Sequence, residues 1–225
     1  MRFVIGWIGL IVAVCFAPGA SADVPAVGGV PAVPPDAVIA RLAERYAKFG
    51  TFKTRFEQRY ESSNFGSEVQ GQGTVTVVAD GRMVWEYRKP EGRRGAIDGT
   101  VWWMLDPRDR QVIVREGPEA TDGPLTRLLT GRIRTLDGFA AKDANEAKTS
   151  PGNRLIELTP LAPRDDLERL LIETDASAGT LVRVTIVDTL GNRMSFSFDP
   201  PERCSIPPAK AFTLTVPKGY DVVKE

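Results

Sequence analysis

At 225 residues the chain can form one domain with a substantial core or two small ones. Its 29 basic and 29 acidic residues balance, so no strong field points to nucleic acid as a partner. It contains no histidine, which removes Ser-His-Asp and Cys-His triads, histidine metal sites and histidine proton shuttles, while carboxylate pairs and lysine nucleophiles stay open.

The chain begins with a targeting pattern. Arg2 is the only charge before the apolar run FVIGWIGLIVAVCF, and Ala20-Ser21-Ala22 supplies the small residues of a cleavage site. The run is short for a membrane span. A signal peptide over residues 1–22 is therefore expected, with a mature chain beginning near Asp23 in the periplasm. Val14 stands where a lipidation signal needs a small residue, so Cys15 is expected to leave with the signal. Cys204 then has no cysteine to pair with and reads as a small buried apolar residue. The stretch DVPAVGGVPAVPP, residues 23–35, lacks helical or strand periodicity and reads as a flexible leader before a folded domain over 36–225.

PDAVIARLAERYAKFG follows. Val38, Ile39, Leu42, Tyr46 and Phe49 recur at spacings of three and four, with Arg41, Glu44, Arg45 and Lys48 opposite, which predicts an amphipathic helix capped by Asp36 and ended by Gly50. From Thr51 the period changes to two. In TFKTRFEQRYE, Phe52, Thr54, Phe56, Gln58 and Tyr60 share one face and Lys53, Arg55, Glu57, Arg59 and Glu61 the other. EVQGQGTVTVVADG predicts a second strand that turns at Asp80-Gly81, and RMVWEYRKP a third with Met83, Trp85 and Tyr87 on one face. RKPEGRR, residues 88–94, reads equally as a basic docking loop and as a solvated hairpin loop. In DGTVWWMLDPRDRQVIV two strands flank Asp106-Pro107, and the first, Val101 to Leu105, has no polar side chain on either face, so both faces require apolar cover.

Pro124 can open a short helix bearing Leu125, Leu128 and Leu129, which Gly131 would close. AAKDANEAKTSPGN reads as a polar loop. Strands are expected again at residues 154–159, 167–174, 181–187 and 194–198, and FTLTV (Phe212 to Val216) as a final one. The sum is about ten strands and two helices: an α+β domain whose large antiparallel sheet must curl and have one face covered.

In this order, FKTRFEQ, GQG, WEYRKPE, DGTVWWMLDPRDRQ, PLTRLLTG and FTLTVPKGYDV resemble the LolA family of periplasmic lipoprotein carriers, from about Asp36 to Val223. The resemblance implies an incomplete β-barrel with a helical lid over a hydrophobic cavity. It implies lipoproteins as cargo, taken from a LolCDE-type inner-membrane transporter and given to a LolB-type outer-membrane receptor. It implies a monomer with no cofactor, no metal and no catalysis. On this reading Phe52, Phe56, Val75, Val77, Met83, Trp85, Tyr87, Trp103 and Leu105 line the cavity for acyl chains, and Ile39, Leu42, Tyr46, Leu125, Leu128 and Leu129 belong to the lid. The family carries a lid-latching basic residue at a position that is Ala79 in this chain, with Arg82 nearby as a substitute latch or a solvated turn residue. Taken without the resemblance, apolar strand residues under a helix read as ordinary core. Other readings of the architecture are an anchored LolB-like receptor, an envelope lipoprotein sensor, and a hydrolase using a carboxylate pair among Asp165-Asp166, Glu57/Glu61 or Asp106/Asp109.

Overall fold

The computed structural model describes residues 33–224 except 65, 67, 122, 133–137, 147–148 and 176–178. The expected signal peptide and nearly all of the leader lie outside the described residues.

Helix α1 spans Pro35–Phe49. Proline at its start costs nothing, because the first amides of a helix have no intrahelical acceptor. Pro34, not Asp36, occupies the N-cap. Asp36 lies two positions further on, in the first turn, where its charge favours the positive helix end. Ile39, Leu42, Ala43 and Tyr46 form the buried stripe, and Gly50, at φ +73°, turns the chain into the first strand.

The strands are β1 (Phe52–Glu61), β2 (Glu68–Val77), β3 (Met83–Lys89), β4 (Arg94–Ile97), β5 (Val101–Asp106), β6 (Gln111–Glu116), β7 (Phe139–Ala144), β8 (Asn153–Pro160), β9 (Arg169–Asp175), β10 (Leu181–Val187), β11 (Arg193–Phe198), β12 (Glu202–Arg203) and β13 (Asp221–Lys224). Helices α2 (Pro118–Thr121) and α3 (Pro124–Leu129) lie between β6 and β7. The sheet order is β13-β6-β5-β4-β3-β2-β1-β11-β10-β9-β8-β7, with β12 added beside β1. Two antiparallel meanders, β1 to β6 and β7 to β11, thus join where β11 pairs with β1. The sheet curls without closing, leaving β13 and β7 at its two ends.

Alternation gives the sheet an inner face under the helices and an outer face. The inner face is one continuous apolar cluster. Phe52, Phe56, Val75, Val77, Met83 and Trp85 of the first meander and Leu158, Ile172, Val184, Phe196 and Phe198 of the second are buried with Ile39, Leu42, Tyr46, Leu128 and Leu129 of the helices. The outer face is charged along β1. It turns apolar at Val84, Ala96, Trp103, Val112 and Val114, where Phe212 covers it with help from Ala211, Leu214 and Tyr220.

Three expectations are corrected. Residues 212–216 are not a strand. Phe212 instead packs on the outer face, and the edge of β6 is occupied by β13 in parallel register. The stretch read as a polar loop contains strand β7, whose charges are paired across to β8 by Lys142–Glu157 (2.9 Å) and Asp143–Arg154 (2.6 Å). Cys204 is exposed rather than buried.

Candidate functional site

The inner face of the first meander is laid out in rows. Pairing places Phe52, Val77, Met83, Ile97 and Trp102 side by side, then Thr54, Val75, Trp85, Gly95 and Met104, then Phe56, Gly73 and Tyr87. Aromatic rings tie the rows together. Phe56 meets Trp85 edge-on at 4.9 Å and Tyr87 at 5.0 Å, Trp85 reaches Phe196 at 5.5 Å, and Tyr46 of α1 stands over Phe52 at 5.4 Å.

Room for these rings comes from glycine. Gly71 and Gly73 lie on the inner face of β2. A Cβ on Gly73 would collide with the Glu86 carbonyl, and one on Gly71 would stand 3.1 Å from the Tyr87 ring. The G-x-G pattern is therefore a seat for Tyr87, whose hydroxyl donates to Gln58 Oε1 at 2.7 Å. Burial pushes the Tyr87 and Tyr46 phenols up to about 12, so both remain neutral donors across the ordinary pH range.

Of the residues read as cavity lining, Phe52, Phe56, Val75, Val77, Met83, Trp85 and Tyr87 come together on this face. Trp103 and Leu105 do not. They point outward, where Trp103 Nε1 donates to the Phe212 carbonyl (3.0 Å) and the Arg94 guanidinium lies 5.7 Å from the Trp103 ring. Trp102 and Met104 take the inner positions. Alternation cannot choose between the two parities when both faces of a strand are apolar. The sequence reading also missed the second meander's share of the face, Leu158, Ile172, Val184, Phe196 and Phe198, although strict alternation in VRVTIV and RMSFSF carried the signal. Leu125 is half-buried against the same cluster, and Leu128 and Leu129 are buried in it.

The helices approach each other closely. Gly131, at φ +67°, lies against α1, where a Cβ would overlap the Ala43 carbonyl and stand 2.5 Å from the Ala47 nitrogen. The next residue, Arg132, donates from Nε to Thr130 Oγ1 (3.0 Å) and lays its guanidinium against Gly81 of the β2–β3 turn. Asp80 of that turn is held below its ordinary carboxyl range, first by its hydrogen bond from Arg82 and in smaller part by the nearby charge of Arg132. Arg82, the candidate latch, is occupied elsewhere. Its Nε donates to Asp80 Oδ2 at 2.9 Å, and its guanidinium lies 4.7 Å from the outer-face ring of Phe212. Ala79 is exposed. The basic side chain that touches the turn from the helical side is thus Arg132, which no motif singled out.

RKPEGRR is not a single basic patch. Arg88 is bound to Gln72, Arg93 lies beside Asp106, and Arg94 Nη2 donates to the Ala211 carbonyl (2.7 Å). Among the described residues no cluster of histidine, cysteine, aspartate or glutamate could hold a metal. The carboxylates considered for hydrolysis are partnered in part: Asp166 bonds Arg164 at 3.0 Å, and Asp106 takes the Arg108 amide at 3.0 Å.

Residues 47–215 match the family model described as outer membrane lipoprotein carrier protein LolA. The chain belongs to the LolA family. An outer-membrane lipoprotein carrier protein of Dechloromonas aromatica is 32% identical over 175 residues, covering 78% of this chain and 82% of that one. Its counterpart in Xanthomonas axonopodis pv. citri is 30% identical over 170 residues, covering 75% and 79%. A LolA superfamily structure from Nitrosomonas europaea covers 81% of this chain and 99% of its own, at 13% identity and a TM-score of 0.43.

Proposed function

We propose that this LolA-family chain is a periplasmic chaperone that binds the acyl chains of lipoproteins against its inner face and carries lipoproteins from the inner to the outer membrane. The observation that carries the reading is the continuous apolar face shared by both meanders and covered by α1 and α3.

The physical problem is exposure. Each acyl methylene left in water costs about 0.8 kcal/mol, so one long chain costs on the order of 10 kcal/mol. A carrier must offset most of that and still release its cargo. Phe52, Phe56, Met83 and Trp85 are buried under the helices, so admitting a chain exchanges lid contacts for lipid contacts. This exchange lowers net affinity and makes handover feasible. Met83 and Met104 suit a lining that must fit unlike chains. The lid would be held by the Gly131 contact with α1 and by Arg132 against the β2–β3 turn. A LolCDE-type transporter would load the carrier and a LolB-type receptor would unload it.

The test is to incubate the chain with energised inner-membrane vesicles bearing a tagged triacylated lipoprotein. The lipoprotein should appear in the soluble fraction as a one-to-one complex, and Met83→Glu or Trp85→Glu should reduce that release at least tenfold while the variant stays folded. Lipoprotein that remains with the vesicles contradicts the reading.

A further inference from the structure

Beyond Trp85 and Met104 the inner face of the first meander changes character. The next positions are Tyr87 on β3, Arg93 just before β4 and Asp106 at the end of β5, with Gln58 and Gly71 one row further on β1 and β2. Successive rows are about 7 Å apart along the strands. This places a small polar site at the end of an apolar surface two rows deep.

The site holds a donor whose charge is paired but whose hydrogen bond is not. The Arg93 guanidinium lies 5.2 Å from the Tyr87 ring, and its Nε is buried without a hydrogen-bond acceptor. Asp106 Oδ2 lies 3.4 Å from that nitrogen, close enough to balance its charge, while Asp106 Oδ1 accepts the Arg108 amide (3.0 Å) in the β5–β6 turn. The arginine is anchored by its backbone: its amide donates to the Pro90 carbonyl and its carbonyl accepts the Tyr87 amide at 3.0 Å. A buried donor left unmatched is costly, so this one favours any ligand that brings an acceptor. With Asp106 alongside, the pair is neutral as a whole, which suits an uncharged acceptor better than a phosphate or carboxylate.

We infer that Arg93, with Tyr87 and Gln58 beside it, binds the ester carbonyl of a glycerol-linked acyl chain whose methylenes lie on the apolar rows above. The inference rests on the carrier reading and adds to it. The apolar rows supply affinity without register, and the carbonyl contact fixes how far a chain slides in. Acyl esters occur on both the lipoprotein cysteine and phospholipids, so the chemistry is shared by two sources.

The test uses the full mature chain and two probes. One is a synthetic cysteine peptide carrying two palmitoyl esters on an S-glyceryl group, and the other is its ether analogue with hexadecyl chains. Wild type should bind the ester about tenfold more tightly, a discrimination typical of a buried donor losing its acceptor. Arg93→Leu should lose about tenfold for the ester and less than twofold for the ether. Should Arg93→Leu fail to fold by circular dichroism, the wild-type ester-to-ether ratio decides alone. Equal binding of both probes by wild type, or equal losses in the variant, overturns the carbonyl site and leaves the carrier reading intact. Binding of neither probe overturns both. A third arm repeats the comparison with a dipalmitoyl phospholipid and its dialkyl ether. Arg93-dependent ester preference with the peptide alone assigns the carbonyl to the lipoprotein, and the same preference with both supports a site for acyl glycerol esters from either source.

Discussion

Gly73 shows how much one hydrogen atom in place of a methyl group can decide. Its Cβ would run into backbone, the Glu86 carbonyl and Tyr87 Cα (2.8 Å), rather than into a side chain that could rotate aside. Gly73→Ala should therefore destabilise the chain by about 2 kcal/mol or more, read as a lower denaturant midpoint at unchanged slope. An unchanged midpoint would mean the two strands separate easily. Glu173 makes a second residue-scale case. It is 1% exposed on β9, and burial by itself would raise its carboxyl. Hydrogen bonds from Asn153 Nδ2 (2.7 Å), the Ser150 amide (2.9 Å) and Arg183 Nε (2.9 Å) outweigh burial and leave it below the ordinary carboxyl range. A lowered folded-state value contributes stability that is present above the unfolded value, about 4.3, and is lost as pH falls through the lower one. Glu173→Gln should flatten the fall in stability below about pH 4.3 by one proton's contribution, measured as melting temperature against pH. An identical slope would remove Glu173 from the acid response. The sequence marked neither residue's role. Glycine spacing was visible, but its cause lies on the neighbouring strand, and the partners that hold Glu173 lie at Ser150, Asn153 and Arg183, outside its own strand.

At the scale of elements, the helices are held to the sheet chiefly through apolar side chains, with polar contacts that include the Arg203 bond to the Lys48 carbonyl (2.8 Å) and Arg132 at the β2–β3 turn. Arg132 donates to Thr130 and lies on Gly81, with Asp80 within its field. Shortening it should loosen the lid more than it weakens the fold. Arg132→Ala is expected to speed amide hydrogen exchange in α3 several-fold and to shift the global melting temperature by only a few degrees. Exchange that does not change would place the lid's hold in its other contacts. The same scale shows where reading by period succeeds. α1, β1 and β3 each combine one apolar face with one mainly polar face, so alternation alone groups Phe52 with Phe56 and Met83 with Trp85 and Tyr87, which the structure buries together. β5 has two apolar faces, so its parity was a guess and came out reversed. β7 is short and alanine-rich, and the ion pairs that link it to β8 leave no mark in its own pattern.

Over the whole molecule, the curled sheet must be covered on both sides, and two different segments do it. Helices α1 and α3 cover the inner face, and the segment carrying Phe212, Leu214 and Tyr220 covers the outer apolar patch of β3 to β6 before β13 extends the sheet. FTLTV looked like another strand because its own alternation is strong, yet the available sheet edge goes to Asp221–Lys224. Ending the chain after Lys210 should expose Trp103, Val84 and Val112 and produce aggregation, detectable by light scattering. A truncated chain that stays monomeric would show that this cover is dispensable. The central claim is that lipid occupies the inner face and not the outer one. The most direct measurement is photocrosslinking from single sites to a triacylated lipoprotein, with the photoreactive side chain at Trp85 or Met104 on the inner face and at Lys53 or Glu86 on the outer. Crosslinks to the acyl chains from the inner positions alone are predicted. Crosslinks from the outer positions, with none from Trp85 or Met104, would contradict the account.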